Sequence, residues 1–82
     1  MEIANEDVFE VSAEIPEGHK HIRTTITLHD GTELVFREAT IANIARAYIM
    51  IKTDPLRTSV RLRGMKLEVR KPGYAEWQLI EE

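Results

Sequence analysis

Five basic residues lie close together in the second half of the chain, and their types and spacing suit contacts with an anion. They are Arg57, Arg61, Arg63, Lys66 and Arg70. Guanidinium and ammonium groups in such a cluster can contact the phosphates of a nucleic acid or the charges of another polyanion. The stretch from Arg57 to Lys71 is therefore a candidate polyanion-binding module.

The remaining charges offer a simpler explanation for this basic cluster. The chain has a net charge of −3, and its residues 1–18 hold six acids and no base. Glu68 lies inside the cluster and Glu76 follows it, so acids of the same chain could neutralise the bases. Aromatic side chains do not interleave with the bases, unlike in single-strand binders. We favour neutralisation within the fold and keep polyanion binding as the alternative.

Two histidines are the next candidates, because imidazole nitrogens bind metals. His19 and His21 are two residues apart and share one face of an extended chain, where Glu14 or Glu17 could approach. His29 lies about 26 Å further along such a strand and cannot complete the site. We predict no metal site.

The sequence offers no set of residues for catalysis. There is no cysteine, and the two serines, Ser12 and Ser59, lack the glycine-flanked turn of a nucleophilic serine. His29 and Asp30 are adjacent in a turn, where the carboxylate does not lie behind the imidazole. Four scattered glycines form no phosphate-binding loop. We expect no enzyme, no catalytic residue, no cofactor and no small-molecule substrate.

Alternating apolar residues predict two strands and a hairpin in the first half. Val8 to Ile15 alternates, and His21 to His29 alternates with many β-branched residues. The following Asp30-Gly31 is a hairpin signal. A three-residue loop ending at Gly31 keeps one face apolar, because it sets Leu28 opposite Thr32, Ile26 opposite Leu34 and Thr24 opposite Phe36.

The segment Thr40 to Lys52 has the rhythm of an amphipathic helix. Ile44, Tyr48 and Ile51 fall on its predicted core face. Thr40 is the predicted N-cap, and Asp54-Pro55 should stop the helix, because proline disfavours helical geometry in the residue before it.

A second hairpin is predicted after the helix, with Arg57–Arg63 and Met65–Arg70 joined at Arg63-Gly64. It would oppose Arg61 to Lys66 and Arg57 to Arg70, and like charges that face each other are destabilising. A last strand, from Ala75 to Ile80, carries Trp77 on its apolar side.

These elements predict an α+β fold in the order β-β-β-α-β-β-β, with a largely antiparallel, curled sheet and one helix packed on one face. Residues 1–7 should be a flexible acidic terminus and residues 8–82 a single domain. No apolar run is long enough to cross a membrane and no signal peptide is recognisable, so we expect a cytoplasmic protein.

One helix is too small to cover six strands, and this shortfall predicts self-association. We expect a non-enzymatic interaction or structural domain that forms a homodimer, the commonest symmetric oligomer. The candidate interface residues lie on the outer edge of the helix or on outward strand positions: Ala47, Met50, Val35 and Ile80.

Overall fold

The computed structural model describes residues 1–68 and 72–82. Within these ranges the chain forms a short 3₁₀ turn, five strands and one α-helix. The elements are the turn Asn5–Asp7, β1 Val8–Glu14, β2 Arg23–Leu28, β3 Glu33–Arg37, α1 Glu38–Lys52, β4 Leu62–Lys66 and β5 Trp77–Glu81. The predicted α+β class with antiparallel strands is confirmed, but the strands form two sheets, and the described residues contain five strands where six were predicted.

The chain divides into two compact units, Met1–Ala42 and Asn43–Glu82. The first contains an antiparallel sheet in the order β1-β2-β3. Its β2–β3 register is the predicted one, because Ile26 lies opposite Leu34 and Thr24 opposite Phe36. The amide of Leu28 donates to the carbonyl of Thr32 at 2.8 Å. Alternation and the Asp-Gly turn were therefore sufficient to fix this hairpin.

The loop of this hairpin needs a glycine. Gly31 has a φ of +90°, in the left-handed region that L side chains rarely adopt. Next to it, the amide of Thr32 donates to Oδ1 of Asp30 at 2.9 Å. This backbone hydrogen bond, aided by one from the Thr32 hydroxyl, lowers the pKa of Asp30 below its ordinary value.

Replacing Gly31 with Ala should therefore lower the free energy of unfolding by about 1–2 kcal/mol, the usual cost of a left-handed L-residue. Gly64→Ala is the matched control. Gly64 has no positive φ, and a Cβ there would meet Cδ2 of Leu79 at 3.5 Å, an ordinary contact. The control should be neutral or slightly stabilising. Equal losses in denaturant melts of the two variants would contradict the strained turn.

β1 is an edge strand with an irregular start. Val11 lies opposite Ile26 and Ala13 opposite Thr24, but the register shifts between Val8 and Glu10. This shift leaves Phe9 as an extra residue, as in a β-bulge. The Phe9 ring meets the ring of His29 edge to face, with centroids 5.8 Å apart.

The first unit has little buried interior. Among the described residues only Leu28 is buried, at 7% exposure. Ile26, Leu34 and Phe36 are half-buried on the same face of the sheet. Val11, opposite Ile26 on that face, is 63% exposed. The apolar face is therefore best covered toward β3 and least covered at β1.

The helix differs from its prediction in its start and its orientation. It begins at Glu38, directly after β3, so Thr40 lies in its first turn and is not the N-cap. Glu38 suits this position, because a carboxylate is favourable at a helix N-terminus. The end at Lys52, before Asp54-Pro55, is confirmed.

The predicted core face of the helix is wrong in part. Ile44 is exposed and Tyr48 is 62% exposed, whereas Ala47 and Met50 are half-buried. The Arg46 guanidinium donates to the carbonyl of Leu79 at 2.8 Å, so this side of the helix faces β5. Apolar residues surround more than half of the helix, and the pattern alone could not determine which side packs.

The predicted hairpin at Arg63-Gly64 does not form. Gly64 lies inside β4, which pairs with β5 and sets Leu62 opposite Glu81 and Lys66 opposite Trp77. A two-residue hairpin loop requires a positive φ, which Gly64 lacks. The residues Arg57 to Arg61 form no strand, and Trp77, predicted to be core, is exposed. The remaining part of this prediction, at 69–71, lies outside the described residues.

Candidate functional site

Among the described residues, three members of the basic cluster form ion pairs with acids of the same unit. Arg57 forms an ion pair with Glu81, Arg63 Nη2 lies 2.8 Å from Glu82 Oε1, and Lys66 Nζ lies 3.3 Å from Glu76 Oε1. The strand pairing explains this arrangement, because β5 and its flanks carry the acids alongside β4. The predicted pairing of Arg61 opposite Lys66 does not occur, and Lys66 instead forms its ion pair with Glu76.

These acids were only partly anticipated. The sequence predicts Glu76 as a neutralising acid but does not predict this role for Glu81 and Glu82, although an acidic pair at the end of an apolar strand is a recognisable signal. Arg61 has an exposed side chain and no ion pair among the described residues, while Arg70 lies outside them. Exposed ion pairs contribute about 0–1 kcal/mol each, so their main effect here is to cancel charge.

The second unit contains an open cavity of about 670 Å³. It is lined by Arg46, Met50, Leu67, Tyr74, Gln78, Leu79, Ile80 and Glu81. Its volume suits a small ligand, but its two charged groups are engaged with other atoms: Arg46 with the Leu79 carbonyl and Glu81 with Arg57. The cavity therefore has no converging acid–base pair.

His21 contacts Glu38, not Glu14 or Glu17, the acids that the sequence predicts near the histidines. Nδ1 of His21 lies 2.8 Å from Oε2 of Glu38, with the His21 side chain largely exposed and that of Glu38 half-buried. Among the described residues, His19 forms no ion pair with an acid. Across residues 1–68 and 72–82, no group of three or more metal-ligating side chains comes together.

The candidate interface residues fall into both units. Val35 is 60% exposed in the first unit. In the second, Met50 and Ile80 line the same cavity, and Ala47 is half-buried. The two candidate residues on the helix, Ala47 and Met50, are therefore both partly covered within the unit. The exposed apolar side chains of the helix are instead Ile44, Tyr48 and Ile49.

Exposed apolar side chains are the most prominent surface feature. In the first unit they include Phe9, Val11, Ile15, Ile22 and Val35, and in the second Ile44, Tyr48, Ile49, Leu56, Met65, Tyr74, Trp77 and Ile80. Single exposed apolar residues are normal, but so many in one small chain make these surfaces candidates for contacts with a partner.

Comparisons with known proteins identified no relative. The chain matches no protein-family model, and no curated protein or solved structure gave a match. None of the helices formed by the described part of the chain has the length and apolarity needed to cross a membrane.

Proposed function

We propose that this chain is a non-enzymatic, cytoplasmic interaction domain that works as a homodimer. Its surface area supports this proposal. The chain exposes 7279 Å². A folded monomer of 9.4 kDa exposes about 5,000 Å² on the usual scaling of surface with mass. The excess is about 2,300 Å².

An excess of about 1,300 Å² remains when the two units are counted as separate bodies. Two separate bodies of half this mass would together expose about 6,000 Å², still well below the observed area. The chain therefore holds more surface than compact folding leaves, and much of it is apolar.

The excess has the size of a dimer interface. Permanent homodimers bury about 2,000–5,000 Å² counted over both partners, which is about 1,000–2,500 Å² for each. Burial of apolar surface contributes about 25 cal/mol per Å², so covering even half of the excess would be a strong driving force for association. Light scattering on the eluting protein tests the proposal, and a dimeric mass is expected at micromolar concentration.

Polyanion binding by the basic cluster is the alternative function. The ion pairs of Arg57, Arg63 and Lys66 reduce the charge available to a polyanion. The wild-type protein should therefore elute from heparin at low salt, and an Arg61→Ala/Lys66→Ala double variant should elute at the same salt concentration. Strong, salt-dependent retention of the wild type alone would support a nucleic-acid or other polyanion partner instead.

A further inference from the structure

We propose that the second copy docks on the free edge of β1. Two copies of this strand pair antiparallel about a two-fold axis at Val11, and the two three-stranded sheets become one sheet of six strands. This inference rests on the proposed self-association and adds the surface and the register. Its evidence is the free edge, the pattern of exposure and the charge pattern of the strand.

β1 is the open edge of the first unit. Among the described strands it pairs with β2 alone, so its other side presents unpaired amides and carbonyls. At seven residues it is the longest described strand, and it contains neither lysine nor proline, two residues that commonly protect edges. β3, at the opposite edge, has five residues and runs directly into the helix.

The exposure of the apolar face points to the same edge. Across one row of the sheet, Leu34 and Ile26 are half-buried, whereas Val11 is 63% exposed. Ile15, which directly follows β1, is also exposed. The missing cover is therefore concentrated along β1, where an added strand would place its own apolar side chains next to these.

The charges and the length of β1 together select the register. A two-fold axis perpendicular to the sheet sets residues of the same face opposite each other. With the axis at Val11, Glu10 lies opposite Ser12 of the partner subunit. With the axis at Ser12, Glu10 would lie opposite the partner's Glu14, and like charges in that position are destabilising. An axis at Glu10 would oppose the two copies of that residue.

A second copy also fits better than an unrelated partner. The Val11 register sets each acid of β1 opposite a neutral residue of the second copy, and it uses the full length of the strand because Val11 is its midpoint. An axis at Ala13 or at Phe9 would also separate the acids, but it would pair fewer residues of β1. The excess of about 1,300 Å² over two separate bodies lies within the range that each partner of a permanent dimer buries.

Single cysteines test the inference directly, because the chain has none of its own. Opposed side chains in an antiparallel pair have Cβ atoms about 4.5–5.5 Å apart, close to the range for a disulfide. The variants Val11→Cys, Ser12→Cys and Val35→Cys would be oxidised mildly at equal concentration. Val35 is an equally exposed position at the other edge and reports random collision.

Val11→Cys should form a disulfide-linked dimer at least ten times faster than Val35→Cys, and Ser12→Cys should behave like Val35→Cys. Faster linkage of Ser12→Cys than of Val11→Cys would overturn the register. Equal rates for Val11→Cys and Val35→Cys in a dimeric protein would overturn the β1 interface alone. A wild-type monomer in light scattering would instead overturn the self-association on which the inference rests.

Discussion

Replacing Leu28 with Ala is expected to lower the free energy of unfolding by about 2–5 kcal/mol, the usual cost of truncating a buried leucine. Leu28 is the one buried residue of the described chain, and its amide joins the loop that closes the first hairpin. A chain of this size has a modest stability, so this loss should remove a large part of it.

Val35→Ala is the matched control, because Val35 lies in the same sheet but is 60% exposed. Its unfolding free energy should change by about 0.5 kcal/mol or less. Both variants should be melted in urea at one protein concentration, since the stability of a dimer depends on concentration. Equal losses would show that Leu28 is not the centre of the interior.

Replacing Val11 with Lys is expected to raise the dimer dissociation constant by about 100-fold. The two-fold axis places both lysines opposite each other, and the interface loses two buried valines at about 1.5 kcal/mol each. Because Val11 is exposed in the single chain, the secondary structure of the variant should be unchanged. Sedimentation velocity across a dilution series would measure the constant, with circular dichroism as the check on folding.

Three further lysine variants make this experiment specific. Ser12→Lys should lower the dissociation constant a few-fold, because the new ammonium group faces Glu10 of the partner subunit. Val35→Lys and Tyr48→Lys should leave it unchanged. If Tyr48→Lys dissociates the dimer and Val11→Lys does not, the exposed helix face is the interface and the β1 edge is not.

The first hairpin could be predicted from sequence because its determinants are local. The alternation of Thr24, Ile26 and Leu28 defines one face, and Asp30-Gly31 fixes the loop. Only one register keeps the apolar residues together, and the structure adopts it. The end of the helix was equally local, since Pro55 limits it.

The second hairpin could not be predicted in the same way, because distant residues determine it. Arg63-Gly64 resembles a turn, but β5 carries Glu81 and Glu82 next to Arg57 and Arg63. Pairing with the acidic strand neutralises the bases, which the predicted hairpin would have set against each other. The sequence also could not determine which side of the helix packs, because apolar residues extend over more than half of its circumference.

The most direct test of self-association is the molar mass of the wild-type protein in solution, measured by light scattering. A concentration of about 10 µM is suitable, because permanent dimers stay assembled there. We predict a mass of twice 9.4 kDa, independent of salt, because apolar surface and strand pairing hold the copies together. A single species of 9.4 kDa would contradict self-association and leave the exposed apolar surface without its proposed cover.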